Sequence, residues 1–477
     1  MKNKLYILFC FAALMMLLVP GILTIATDED EVKANQTLTA FPELKDSETG
    51  ELNTDFLPEL SDYFSDHFAF RQELITLHSE LIASVFSTSA SDSVIIGDDG
   101  YLFYGDEVAS YVENTSLDSR RIFSAALNLS LMQEYAESLG SEFYFTVAPN
   151  KSSIYPEKMP YNYIQGENTV LSELEEYLDE LNVNYIDLKA ALTESEDYEE
   201  VLYHKLDSHW NNLGASAAYD AIETALGTEH KDFTSIAYLA EDDFDGDLYE
   251  MLYPEGTEKD TNYYFDYEPA YQVVNMTGPE TPAASTDITF ETKVDDGSVS
   301  DSKLLMFRDS FGNALAPLLA EDYSSALFKR AVPYDLTLAE TASADKVVVE
   351  IVERNIKNLS SDAVGASALA KFPAPVREIE PDKSADCGVL INGTAGNLPT
   401  DLLCLAGILY ADTDTESRIY VKVGDAYYEA SLCGTDEDGG EKFTLYLNGT
   451  AESVTEASVV FEKDGALLES STVDVVY

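Results

Sequence analysis

The period of the apolar positions changes along the chain, and those changes mark its parts. From Leu5 to Ala26 the sequence is apolar and uncharged, with Lys2 and Lys4 before it and Asp28-Glu29-Asp30-Glu31 after it. About 22 residues at about 1.5 Å each span a hydrocarbon core of roughly 30 Å. Lysines before the run and acids after it place the N-terminus inside and the rest outside. Two readings stay open: an uncleaved signal anchor over residues 1–27, or a cleaved signal peptide. The apolar region of a signal peptide is ordinarily about 7–15 residues and ends at small residues. Ile25-Ala26-Thr27 matches such a site poorly, which favours the anchor; both readings export the body. Residues 28–55 are acidic, polar and aperiodic, and read as a linker.

The segment Tyr63 to Arg71 leads into helical spacing that ends near Val85, and Ser93 to Tyr104 reads as a hairpin. From Ser119 the pattern alternates. Ile122 to Leu139 has helical spacing and stops at Gly140. Phe143 to Ala148 is a buried-strand run, Leu171 to Leu181 a helix, Tyr185 to Leu188 a short strand and Ala215 to Leu226 a helix. Lys303 to Phe307 is a strand followed by a helical stretch from Gly312 to Ala320; Ser325 to Phe328 and Val347 to Val352 are further strands. This alternation predicts an α/β domain over residues 56–372, with a mostly parallel sheet and helices on both faces.

Residues 231–300 break the rhythm. They are acidic and aromatic, with Tyr263-Tyr264-Phe265 and Tyr267, and read as an excursion beside the sheet. The aromatics suit either core packing of the insertion or stacking on sugar rings. Pro373, Pro375 and Pro381 mark a linker over 373–382. Residues 383–477 carry short alternating strands punctuated by Asn448-Gly449 and Asp464-Gly465, the pattern of a small β-sandwich.

Charge narrows the function. The 28 basic and 88 acidic residues give a net −60. A surface so negative repels nucleic acid and anionic headgroups, so no nucleic-acid partner is expected. It also repels anionic polymers unless basic groups line a groove. Of four cysteines, Cys10 lies in the apolar run; Cys387, Cys404 and Cys433 permit one disulfide at most. No Cys-x-x-Cys pair or His-x-x-x-His spacing points to a metal, and no cofactor is expected.

Ser310 follows the strand ending at Phe307 and precedes the helix from Gly312. Open α/β sheets place their sites at that strand end, and a helix N-terminus there suits an oxyanion. The same residues also suit plain helix capping by Asp309 or Ser310. His209 is one of five histidines and adjoins the single tryptophan, Trp210; Asp207 lies two residues earlier. A carboxylate on one imidazole nitrogen leaves the other able to activate a serine. The competing reading is a helix-capping loop, with Asp207 or Ser208 as N-cap and His209 packed on Trp210.

The run His204-Lys205-Leu206-Asp207-Ser208-His209-Trp210-Asn211-Asn212-Leu213-Gly214-Ala215 resembles the signature of the DHHW family, related to the SGNH-hydrolase-like alginate O-acetyltransferases. Three further blocks agree in order: Val147 to Pro156, Phe307 to Gly312, and Val349 to Asn355. The likeness spans roughly residues 56–370. It implies an SGNH-like fold and a triad of Asp207, His209 and Ser310, with Asp and His ahead of Ser. Arg308 stands where SGNH enzymes usually have glycine, and Asp-x-His replaces the commoner Asp-x-x-His; both departures suggest the acetyltransferase-like branch.

The resemblance further implies O-acetyl transfer onto an extracellular polysaccharide through an acetyl-serine. Backbone N–H groups after Ser310 would hold the oxyanion, and a multi-pass membrane acyltransferase would supply acetyl groups. Lys151, Arg308 and Arg354 are candidate substrate contacts, though Lys151 and Arg354 are more ordinary as solvated charges. Asn313 is a side-chain oxyanion donor or a helix-surface residue. An acetyl-polysaccharide esterase, or a non-catalytic polysaccharide-binding or assembly protein using residues 231–300 and the C-terminal sandwich, are the alternative functions.

Overall fold

The computed structural model describes residues 52–477 except 113–116, 118, 167–168, 196, 278–287, 295–296, 331–333, 361–375, 395–401, 414–417, 437 and 449–452; before residue 52 it describes 39–45 and scattered positions from 6 to 23. Most of the expected anchor, much of the 28–55 linker, and Pro373 and Pro375 lie outside the described residues, as does the side chain of Cys433. Among the described residues no helix is long and apolar enough to cross a membrane.

Helices α1 (Phe56–Asp66) and α2 (Arg71–Phe86) lead into a hairpin of β1 (Val94–Ile96) and β2 (Leu102–Tyr104). Then follow α3 (Ser119–Ser138), β3 (Glu142–Ala148), α4 (Val170–Glu180), β4 (Tyr185–Ile186) and α5 (Asn212–Leu226). The insertion supplies β5 (Tyr238–Phe244), α6 (Asp247–Leu252), β6 (Asp260–Phe265), β7 (Gln272–Thr277) and β8 (Ile288–Lys293). The rhythm resumes with β9 (Lys303–Phe307), α7 (Gly312–Leu319), β10 (Ser325–Arg330) and β11 (Lys346–Val352).

Seven of these strands form one sheet in the order β4-β3-β11-β9-β10-β8-β7. The stretch from β4 to β10 is parallel; β8 and β7 run antiparallel at one edge. Successive residues of the central strands serve opposite faces. Leu304, Met306, Val348 and Val352 pack in one core with α5 and α7. Leu305, Phe307, Val347 and Val349 pack in the other with α3 and α4. The mostly parallel sheet with helices on both faces is therefore present.

The excursion expected over 231–300 is corrected in part. Its β5–β6 hairpin stands apart from the sheet, but β8 and β7 extend the sheet itself. An unpaired edge on β10 leaves backbone donors and acceptors open, and β8 satisfies them. Phe290 of β8 stacks on Phe328 of β10 at 4.9 Å, anchoring the join. Tyr263, Phe265 and Tyr267 pack with the main core, as core aromatics do.

The C-terminal part is all β, and its hydrogen bonding closes a ring. Ile419–Val423 pairs with Ala426–Thr435, which pairs with Glu441–Asn448 and on to Leu402–Tyr410 and Gly388–Thr394. Val473–Val476 and Glu456–Lys463 return the ring to Ile419–Val423. The sandwich expected from its short strands is thus barrel-like, around a core that includes Leu405, Val421, Phe443 and Val459. It docks on α3: Leu432 N–H donates to Ser124 Oγ at 3.2 Å, and Ser431 Oγ to Asn128 Oδ1 at 3.2 Å. The Arg418 guanidinium covers the Phe123 ring at 4.1 Å.

Gly214 sets the approach of α5 to the loop before it. A Cβ there would stand 2.2 Å from the Leu202 carbonyl oxygen and 2.9 Å from Trp210 Cβ. Gly214→Ala is expected to cost about 1–3 kcal/mol through overpacking. The single, buried Trp210 reports it: thermal denaturation should begin earlier and the native tryptophan emission should shift.

Candidate functional site

The sheet brings three polar segments to one edge. Asn150 and Lys151 follow the carboxyl end of β3, Glu353 and Arg354 that of β11, and Asp309 and Ser310 that of β9. These strands are neighbours, so the segments emerge side by side at the position where open α/β sheets hold ligands. The loop 203–211 then lies across them.

Asp207, His209 and Ser310 form one hydrogen-bonded chain. His209 Nε2 is 2.8 Å from Ser310 Oγ, and His209 Nδ1 is 2.7 Å from Asp207 Oδ1. Asp207 Oδ1 also accepts the His209 backbone N–H at 2.8 Å, which curls the loop and fixes the ring. With Nδ1 donating to the carboxylate, Nε2 is the acceptor facing the serine. Phe311 packs against the imidazole at 4.7 Å and against the Trp210 indole at 4.9 Å. Trp210 Nε1–H donates to the Phe311 carbonyl at 3.1 Å, tying the histidine loop directly to the serine turn.

A second carboxylate, Asp247 at the start of α6, completes the arrangement. Its backbone N–H donates to Asp207 Oδ2 at 2.8 Å, while its side chain accepts from Ser208 N–H and Ser208 Oγ, each at 2.7 Å. Asp247 Oδ2 stands 3.8 Å from His209 Nδ1. The ligand-type atoms of Asp207, His209 and Asp247 lie within 4.8 Å of one another, close enough for a metal ion. Each of those atoms is already engaged in the hydrogen bonds above.

Burial alone would favour a neutral Asp207, but His209 beside it and three N–H donors hold its carboxyl well below the usual range. Burial also works to lower the His209 pKa; the Asp207 charge, its hydrogen bond and the Asp247 charge outweigh it, and the net shift is upward. Asp247 is itself shifted up, by burial and by Asp207. Beneath the serine turn, Asp309 Oδ1 accepts from Phe311 N–H at 2.9 Å and Oδ2 from Val352 N–H at 2.7 Å. Buried Glu350 accepts the Asp309 N–H at 3.1 Å, and burial together with the Asp309 charge pushes its carboxyl well up.

The other sequence candidates separate. Lys151 is fully buried, and its ammonium donates to the carbonyls of His204, Lys205 and Asp207. It is no substrate contact but a staple under the loop, because three orphan carbonyls converge there and only a cation with several donors satisfies them. Burial lowers its pKa to about 8. Arg308 is also buried and turned beneath α7, stacked on Phe290 at 5.6 Å and donating to Asn313 Oδ1 at 2.6 Å. Gly312 makes room for it, since a Cβ there would meet Arg308 Cδ at 2.3 Å. The substrate-contact reading of Arg308 is corrected accordingly.

Arg354 does reach the cleft, between Tyr104 at 5.2 Å and Phe311 at 5.5 Å. Asn313 lines the cleft beside Ser310. Two of the backbone N–H groups expected to serve the oxyanion are engaged elsewhere: the Phe311 N–H donates to Asp309, and the Asn313 N–H to the Ser310 carbonyl at 3.1 Å. Sequence reasoning missed Asp247, Glu350 and Phe244, the last of which lines the cleft with Ser310 and His209. Asp247 is one acid among several in the insertion, with nothing in its spacing to single it out.

Residues 94–295 match the family model of the SGNH hydrolase-like domain, acetyltransferase AlgX. The resemblance read from the sequence blocks is borne out over that stretch, which holds Asp207 and His209 and stops short of Ser310. No curated protein matches the chain. Among solved structures, a DHHW family protein from Eubacterium siraeum DSM 15702 is similar at 17% identity, covering 58% of this chain and 97% of its own, with a TM-score of 0.45. Bacillus cereus PatB1 is similar at 17% identity over 54% of this chain and 95% of its own, TM-score 0.43. Pseudomonas aeruginosa AlgX is similar at 12% identity over 80% of this chain and 95% of its own, TM-score 0.37.

Because the Asp247 charge helps to raise the His209 pKa, Asp247→Asn should lower it. Titration of the imidazole by NMR checks this; an unmoved midpoint would mean that Asp247 carries no charge beside His209.

Proposed function

We propose that this protein transfers acetyl groups to hydroxyls of an extracellular polysaccharide through an acetyl ester on Ser310. The observation that carries the reading is the unbroken Asp207–His209–Ser310 chain, at 2.7 and 2.8 Å, opening on a cleft at the strand ends. The match of residues 94–295 to the acetyltransferase domain model supports the same chemistry.

The geometry supports the following steps. Ser310 Oγ attacks the donor's acetyl carbonyl while His209 Nε2 takes the hydroxyl proton. Asp207 keeps the imidazole in the needed tautomer and stabilises the imidazolium. The donor C–O bond then breaks, and His209 returns the proton to the departing oxygen. An acceptor hydroxyl next gives its proton to His209 and attacks the acetyl-serine carbonyl; the bond to Ser310 Oγ breaks, and His209 passes the proton to that oxygen, restoring Ser310 and the neutral imidazole. Asn313, with Oδ1 tied to Arg308, has its amide N–H groups left for the oxyanion. The apolar run at residues 5–26 and the acidic surface support a tethered, extracytoplasmic setting; a multi-pass membrane acyltransferase as acetyl source rests on the family resemblance alone.

The purified protein, offered a chromogenic acetyl ester, should release acetate at a rate that Ser310→Ala and His209→Ala each lower at least about 10³-fold. Equal rates in all three would refute the triad. The imidazole must be neutral to accept a proton and its pKa is raised, so the rate should climb with pH through a midpoint above the ordinary 6.5. Label from the acetyl group should appear in added polysaccharide; label in free acetate alone would make the protein an esterase.

A further inference from the structure

Ser310, His209, Asn313 and Phe244 line two recesses at once, and the two differ in chemistry. The smaller, about 280 Å³, is completed by Trp210, Phe311, Ala314, Asn212, Asn262 and His204. Among the described residues no Asp, Glu, Lys or Arg lines it. Burial lowers the His204 pKa against the opposing charges of Asp207 and Asp260, and its Nδ1 is 3.1 Å from the Thr261 carbonyl oxygen. The larger, about 730 Å³, brings Asp106, Asp245, Asp247, Arg330, Arg354 and Asn355 around the same serine.

Phe244 is placed to divide them. It ends β5, just past a register shift in the pairing with β6 between Asp242 and Phe244. Its ring is stacked on His204 at 3.9 Å with an interplanar angle of 6°, so the divider is braced from the histidine loop. On the other side Asn313 is held by Arg308.

Resting on the acyl-transfer reading above, we propose that the smaller recess is the acyl site and the larger cleft the acceptor site, with Phe244 and Asn313 as the partition. A short acyl chain has no donors to satisfy and gains from aromatic walls, whereas charged groups beside it would have to be desolvated for nothing. A glycan brings many hydroxyls, which carboxylates and guanidinium groups can bind. The acyl methyl then sits against Trp210 and Ala314 while the leaving group and, later, the acceptor hydroxyl pass through the cleft. Both half-reactions use one opening without moving the acyl group. The cleft carries more carboxylates than guanidinium groups, in a protein of net charge −60, which suits an uncharged glycan.

The test compares p-nitrophenyl acetate with the butyrate ester, and measures transfer to cellopentaose as a neutral acceptor probe. Ala314→Leu, which fills the small recess, should lower kcat/KM for butyrate about tenfold more than for acetate and leave the acceptor KM unchanged. Ala314→Gly should move the ratio the other way, so a folding defect in one variant does not decide the matter. Arg330→Gln, in the large cleft, should raise the acceptor KM and leave the acetate-to-butyrate ratio alone. If Ala314 variants change the acceptor KM with an unmoved chain-length ratio, if Arg330→Gln changes that ratio, or if none of the three variants changes either quantity, the assignment is overturned. Failure of the acyl-transfer reading itself is separate: the unsubstituted protein would then show no Ser310-dependent acetate release at all.

Discussion

The arrangement at the cleft depends on one hydrogen bond, from the Trp210 indole N–H to the carbonyl of Phe311. His209 and Ser310 are 101 residues apart in sequence, and their 2.8 Å contact needs the loop and the turn held in register. The indole bond links the residue after the histidine to the residue after the serine. Phe311 fills the space between, against His209, Trp210 and Tyr203, and Tyr203 is pinned by its hydroxyl to the Pro149 carbonyl at 2.6 Å. Rigid aromatics with one polar handle suit this work, because they fix geometry over several ångströms at little entropic cost.

Around that link the acidic chain spends its few buried cations on backbone. Lys151 gathers three carbonyls under the loop, and Arg308 braces the start of α7. Carboxylates are matched to N–H groups in the same way: Asp309 to Phe311 and Val352, Asp207 to His209 and Asp247. A buried carboxylate bearing several N–H bonds keeps its charge, and a charged Asp207 in turn raises the pKa of His209. The surplus of acid in the composition therefore has a local use at the cleft, beyond its effect on the surface.

Much of the scaffold could be read directly from periodicity. The strands at Phe143 to Ala148, Lys303 to Phe307 and Val347 to Val352 are continuous apolar runs because both faces are covered, and each was legible within a residue or two. β7 and β8 were not, since Gln272–Thr277 and Ile288–Lys293 mix polar with apolar positions and lie in an acidic, aperiodic segment. Asp207, His209 and Ser310 stood out through the scarcity of histidine, the lone tryptophan and the strand-end position of the serine. Asp247 and Phe244 did not, because they reach the cleft through the fold of the insertion and not through any local pattern. Lys151 and Arg308 misled for a physical reason: in sequence a cation beside a site looks like a ligand group, and only burial reveals that it serves backbone carbonyls and a helix start.

The central claim is that Ser310 carries the acyl group. Its most direct test is acid-quenched mass spectrometry of the protein mixed with an activated acetyl ester, followed by peptide mapping. The account predicts one acetyl group on the peptide containing Ser310, absent from Ser310→Ala and lost again when a polysaccharide acceptor is added before the quench. Acetylation at another residue, or turnover that persists in Ser310→Ala, would contradict it.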